Sequence, residues 1–242
     1  MQPLRATICL PTYNERDNLE PMLRALAEVL RDGDRVLVID DRSPDGTGEL
    51  ADRLAGELAF VDVMHRERKE GLGPAYIAGF RRVLAGDAEL VLEMDCDFSH
   101  DPADVPRLVA AAESGSDLVL GSRYVPGGSI PNWGLARRAV SSAGNLYARI
   151  FLQSPIHDLT GGFKCYRRGV LETIDLGTVR SKGYAFQIET TYRTVRAGFR
   201  VTEIPITFVD RERGGSKMSR SIVLEAIWEV PRLRLRALAG RL

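Results

Sequence analysis

Short apolar runs alternate with amphipathic stretches through the first half of the chain. Runs at 6–10, 36–40, 61–65, 90–94 and 118–122 read as strands. Between them, 18–30, 47–58, 74–85 and 102–114 repeat their apolar residues at helical spacing. Strands alternating with helices predict a mostly parallel sheet covered on both faces. Asp101 can cap the last of these helices, and Pro102 suits its first position. The second half is less regular. There 135–152 reads as a helix, 163–167 as a strand and 184–197 as a helix. Residues 201–209 read as an extended segment broken at Pro205, and 210–219 as a mobile loop with Gly214-Gly215 between basic residues. The stretch 222–242 is mainly helical, with an expected interruption at Pro231.

In open α/β sheets, ligands bind beyond the carboxyl ends of the strands. Four polar groups of residues fall there: Pro11-Thr12-Tyr13-Asn14-Glu15, Asp40-Asp41, Asp95-Cys96-Asp97 and Gly121-Ser122-Arg123-Tyr124. Asp95 and Asp97 follow a buried strand, and like charges so close repel unless a cation relieves them. Oxygen ligands of this kind suit Mg²⁺ or Mn²⁺ holding a phosphate. The first strand is not followed by G-x-G-x-x-G, which argues against a dinucleotide dehydrogenase.

Bulk properties narrow the field. At 242 residues with formal net charge +0, the chain is long enough for one sizeable α/β domain or two small ones and carries no global field toward nucleic acid. Cys9, Cys96 and Cys165 are odd in number, widely spaced and without a Cys-x-x-Cys pair. With no signal-peptide pattern, they predict a reducing compartment and core positions rather than disulfides or thiolate metal sites. No stretch approaches the roughly 18–20 apolar residues of a membrane span.

Together the motifs resemble glycosyltransferase family 2 enzymes of the GT-A fold, most of all the polyprenol-phosphate (dolichol-phosphate) mannose synthases. The carrying segments include 11–15, 39–47, 95–102 and 121–124. Thr160-Gly161-Gly162-Phe163 and Arg211-Glu212-Arg213-Gly214-Gly215-Ser216-Lys217 complete them. The resemblance spans residues 6 to about 225, with Cys96 where Ala is usual and Arg42 where Gly is common. It implies a Rossmann-like, open, twisted, mostly parallel sheet with helices on both faces, plus C-terminal interfacial helices. The whole chain, 1–242, is then one domain: a nucleotide-binding half (1–125), an acceptor half with the mobile loop (126–218) and an amphipathic tail (219–242).

The resemblance also implies roles. Pro11, Tyr13, Glu15, Ile39, Asp41, Asp95 and Cys96 surround the donor nucleotide, with Asp95 near its sugar. Asp97 holds Mg²⁺ or Mn²⁺. Ser99 either reaches that ion or caps a backbone amide. Arg123, Arg137 and Ser141 hold the acceptor phosphate, although Arg138 competes with Arg137 for that place. Arg211 and Lys217, the latter one of only four lysines, contact the diphosphate. The implied reaction is inverting transfer of mannose from GDP-mannose to a polyprenyl phosphate, with UDP-glucose an open alternative donor. No general base is required, because a phosphate monoester with a second pKa of about 6 is already ionised. Two other classes compete, a nucleotidyltransferase and a nucleotide-binding subunit without activity. The first lacks its glycine- and lysine-rich loop after strand one.

The lipid acceptor demands a membrane surface. Trp133, Leu146, Tyr147, Ile150 and Phe151 mark 135–152, and Trp228, Leu233, Leu235 and Leu238 alternate with Arg232, Arg234, Arg236 and Arg241 near the C-terminus. Such mixtures suit interfacial helices on anionic lipid, helices packed on the sheet, or docking to a separate membrane-spanning subunit. The expected location is cytoplasmic, peripheral to the cytoplasmic face of a membrane.

Overall fold

The computed structural model describes residues 3–179, 181, 183–210, 220–240 and 242. A seven-stranded sheet is built from β1 (Ala6–Thr12), β2 (Arg35–Asp40), β3 (Val61–His65), β4 (Leu90–Glu93), β5 (Leu118–Ser122), β6 (Lys164–Arg167) and β7 (Val201–Pro205). Its order is β3-β2-β1-β4-β6-β5-β7, and every pairing is parallel except those of β6, which runs against both neighbours. This is the GT-A arrangement that the alternating pattern and the resemblance predicted.

Both faces of the sheet are covered, so its strands read as continuous apolar runs. Period-two alternation divides their side chains between two cores. Ile8, Leu10, Val36, Val38, Leu90 and Leu92 pack against α1 (Arg16–Ala27), α2 (Thr47–Glu57) and α4 (Val105–Glu113). Cys9, Leu37, Ile39, Val91, Leu118 and Leu120 face α3 (Leu72–Leu84), α5 (Leu135–Leu152), α7 (Gly183–Arg196) and α8 (Arg220–Leu238). Each fully buried Leu or Ile contributes about 1.5–3 kcal/mol. Cys9, Cys96 and Cys165 are buried and form no disulfide, as expected of core residues.

Several boundaries differ from expectation. Helix α1 starts at Arg16 and ends at Ala27, because Glu15 opens it and the chain turns after Leu26. The helix expected at 102–114 begins instead with a single 3₁₀ turn, Pro102–Asp104, capped by the Asp101 carboxylate accepting the Ala103 N–H at 2.9 Å. A short helix, α6 (Arg168–Thr173), was not foreseen. The extended segment at 201–209 is a strand only as far as Pro205, beyond which Thr207 makes one isolated bridge to Ser129. Helix α8 continues through Pro231, where packing of Val230, Leu233 and Ala237 into the core outweighs the missing hydrogen bond.

Candidate active site

The parallel strands deliver their carboxyl ends to one edge. Three of the turns there hold a non-glycine residue in the left-handed region: Asn14 (φ 57°), Arg42 (φ 57°) and Phe98 (φ 60°). Strain of this kind collects at functional sites, where the surrounding structure enforces it. Arg42 also shows why glycine is the usual residue at that point.

On the nucleotide side, Tyr13 carries the Lys69 ammonium 3.5 Å above its ring centroid. Glu15 accepts from Asn18 Nδ2 at 2.8 Å and donates its own N–H to Thr47 Oγ1 at 3.0 Å. The Asp40 carboxylate braces the turn, accepting from the Ser43 amide and hydroxyl at 3.0 and 2.6 Å. Asp41 is ion-paired with Arg66, and both side chains are buried. Burial pushes the Asp41 carboxyl above its usual range, against the opposing pull of Arg66. Pro11 lies in β1 opposite Ile39. The Ile39 and Cys96 side chains lie in the two cores. The alternation of β2 turns Ile39 onto α3, and Cys96 joins the opposite core with Met94.

The Asp95–Asp97 turn is fixed by its own residues. One Asp97 oxygen, Oδ1, accepts from the Ser99 amide at 3.0 Å and from the Ser99 hydroxyl. The hydroxyl of Ser99 is thereby directed at Asp97 and holds the carboxylate's orientation. The Asp95 N–H donates to His100 Nδ1 at 3.2 Å, and the imidazole stacks on Phe163 at 4.9 Å. Among the described residues no three His, Cys, Asp or Glu side chains converge to hold a metal. The hard oxygens of Asp97 fit Mg²⁺ or Mn²⁺ only as part of a shell completed by phosphates and water, which is how these ions usually sit with nucleotides.

On the opposite side, Arg123 is buried against Asp158. Its Nε and Nη2 each donate to the carboxylate at 2.7 Å, and Nη2 also reaches Thr160 Oγ1 at 2.8 Å. Burial raises the Asp158 carboxyl, but the Arg123 charge and hydrogen bonds outweigh it and hold the group below its usual range. Nε and Nη2 of the Arg123 fork are thus engaged by Asp158 and Thr160. Arg137, Ser141 and Asn145 form one stripe of α5. Arg137 pairs with Asp210 and stacks on Trp133, 4.2 Å from its ring centroid. Ser141 accepts from the Tyr124 hydroxyl at 2.8 Å, and Asn145 Nδ2 donates to Thr160 Oγ1 at 3.1 Å. Arg123, Arg137 and Ser141 thus meet around Tyr124, Trp133 and Thr160 as one cluster. The expected diphosphate residues Arg211 and Lys217, with the loop that carries them, lie outside the described residues.

Arg66, Asp158 and Asn145 escaped the sequence reading. Asp158 left one signal, an acid between the apolar residues Ile156 and Leu159 just before Thr160-Gly161-Gly162. Helices α5 and α8 expose large apolar side chains, among them Leu135 (84 %), Ile150 (65 %), Trp228 (67 %) and Leu238 (68 %). Among the described residues no helix is long and apolar enough to cross a membrane.

Comparison with known proteins adds identity to this geometry. The family model described as glycosyl transferase family 2 matches residues 7–175. The chain is 49 % identical over 234 residues to an undecaprenyl-phosphate mannosyltransferase of Micrococcus luteus, covering 97 % of this chain and 96 % of that protein. It is 48 % identical over 239 residues to a polyprenol monophosphomannose synthase of Mycolicibacterium smegmatis, covering 98 % of this chain and 89 % of the other. Among solved structures, glucosyl-3-phosphoglycerate synthase of Mycobacterium tuberculosis in complex with uridine diphosphate superposes with a TM-score of 0.69 at 19 % identity, over 96 % of this chain and 80 % of that one. The same enzyme with Mn²⁺, uridine diphosphate and glucosyl-3-phosphoglycerate gives 0.65 at 21 % identity, over 98 % and 80 %.

Proposed function

Since the chain belongs to glycosyl transferase family 2, we propose that it transfers mannose from GDP-mannose to a polyprenyl phosphate. The observation that carries this reading is near-full-length identity of 48 % and 49 % to two proteins named for mannosyl transfer to polyprenyl phosphates. The site supports it chemically. Tyr13, Glu15 and Asp41 lie at the ends of β1 and β2, where a nucleoside binds. Asp97, oriented by Ser99, would hold Mg²⁺ or Mn²⁺, with Asp95 beside it toward the donor sugar. Once bound, the ion would neutralise charge gathering on the diphosphate leaving group. Arg211 and Lys217 add positive charge for the same diphosphate.

The acceptor phosphate belongs to the cluster of Arg123, Arg137 and Ser141. Its oxygen is ionised at neutral pH, so these residues orient the nucleophile and no side chain needs to deprotonate it. A single displacement from that side inverts the anomeric centre and yields a β-linked mannosyl phosphate. The apolar face of α5 and α8, edged by Arg232, Arg234 and Arg236, rests on the cytoplasmic surface of a membrane, alone or beside a spanning subunit.

Titration calorimetry tests the donor half. GDP should bind at least tenfold more tightly than UDP in the presence of Mn²⁺, and Asp97→Asn should lose the metal-dependent part of that affinity. Equal affinity for UDP, or an unchanged metal response in the variant, would contradict the proposal.

A further inference from the structure

Trp133 and Arg137 each bury an N–H donor that no atom of the described residues accepts: the indole Nε1 and the guanidinium Nε. Trp133 is only 8 % exposed, and the Arg137 guanidinium carbon sits 4.2 Å from its ring centroid. Neither group can accept a hydrogen bond. The partner they lack is therefore an acceptor atom, and an oxyanion supplies the strongest kind. Arg123 is on the same indole, its guanidinium carbon 5.9 Å from the ring centroid, so the surroundings are cationic. Ser141 stands one turn along α5 from Arg137.

One anion already meets Arg137, the carboxylate of Asp210. A half-buried guanidinium is costly without a counter-charge, and Asp210 supplies it. A phosphate monoester brings nearly twice the charge and three oxygens, enough to reach Arg137 and the indole N–H together.

We propose that Asp210 is a resident stand-in for the acceptor's phosphate. The entering oxyanion takes Arg137 from Asp210 and accepts the orphaned N–H groups of Arg137 and Trp133. Trp133 is thus a direct donor to the acceptor, and Asp210 a built-in competitor for the same place. The inference deepens the proposed function and rests on its phosphate-monoester acceptor.

Equilibrium binding of farnesyl phosphate in detergent, of inorganic phosphate and of GDP to the full chain tests it, with melting curves to verify folding. Asp210→Asn should tighten farnesyl phosphate roughly fivefold, and Trp133→Phe, which keeps an aromatic ring but removes the donor, should weaken it by roughly the same factor. GDP should bind all three proteins alike. Opposite signs from the two variants are not what a merely structural role produces. Inorganic phosphate following the same order supports recognition of the phosphate group itself. An Asp210→Asn variant that binds either phosphate no better than wild type, or a Trp133→Phe variant that binds farnesyl phosphate equally well, overturns this inference alone. Wild-type protein that binds GDP but not farnesyl phosphate overturns the acceptor class, and this inference with it.

Discussion

Asp158 accepts both arms of the Arg123 guanidinium, at 2.7 Å each, in a pair whose carboxylate side chain is wholly buried. The contact joins the end of β5 to the turn before Thr160, and Glu203 on β7 secures that turn by accepting the Asp158 N–H at 2.9 Å. The pair thereby fixes the cationic floor of the acceptor cluster.

Asp158→Asn leaves a buried guanidinium without its counter-charge and should cost about 3–5 kcal/mol of stability. The pH dependence follows from the lowered carboxyl. A folded value below the unfolded one of about 4 means stabilisation present in full above that pH and lost as pH falls through the folded value. Thermal melting across pH 2–6 checks this, and the variant should show a flatter acid limb than wild type. An unchanged limb contradicts the assignment.

Lys164 and Glu93 sit opposite one another in the β4–β6 ladder, fully buried, with the ammonium 3.9 Å from the carboxylate. Lys164 also donates to the Gln187 carbonyl at 3.0 Å and to Thr190 Oγ1 at 3.1 Å, while Glu93 Oε1 accepts from the Tyr166 hydroxyl at 3.1 Å. Burial draws the lysine down to about 8, partly offset by Glu93 and Asp158. Lys164→Met should destabilise by about 3–5 kcal/mol by stranding Glu93, and the added change Glu93→Leu should recover most of it. Denaturant midpoints of the two variants decide the point. The wild-type protein should gain stability from this lysine as pH rises from about 8 toward its unfolded value near 10.4, because the unfolded chain then holds the extra proton. Lys164→Met should lose that rise.

What the sequence disclosed divides along physical lines. The strands from Ala6 to Ser122 were legible because both faces are buried and the runs Ile8–Leu10 and Val36–Ile39 are continuously apolar. The Asp95–Asp97 turn stood out because paired carboxylates are costly just past a buried strand, and Arg137 because it lies one helical turn from Ser141 and matches the family pattern. The direction of β6 was not, since periodicity carries no polarity and its insertion between β4 and β5 depends on distant pairing. Helix α6 is six residues with Gly169 near its start, too short for a periodic signal. Arg66 and Asp158 find Asp41 and Arg123 across 25 and 35 residues, and only the folded chain reveals such partners.

Gly79 lets α3 approach β2. A Cβ built there would lie 2.3 Å from Ile39 Cδ1. Gly79→Ala should therefore cost about 1–3 kcal/mol through overpacking. Pairing it with Ile39→Val, which removes the offending methyl, should restore part of the loss. Equal stabilities for the single and double variants in urea melts would contradict this packing.

Ser99→Ala removes the hydroxyl that orients Asp97. Support of this kind commonly contributes 10–100-fold in metal affinity or activity. The variant should need roughly tenfold more Mn²⁺ for half-maximal turnover and melt near the wild-type temperature. Wild-type metal dependence would show that Asp97 needs no such support.

Transfer of label from radioactive GDP-mannose to a short polyprenyl phosphate, with and without Mn²⁺ or Mg²⁺, tests the central claim most directly. UDP-glucose runs in parallel, Asp97→Asn serves as the site control, and product is scored by partition into organic solvent. The account predicts metal-dependent organic-phase label from GDP-mannose, little from UDP-glucose and none from the variant. Label from UDP-glucose alone, full activity in Asp97→Asn, or no label with a membrane fraction supplied would contradict it.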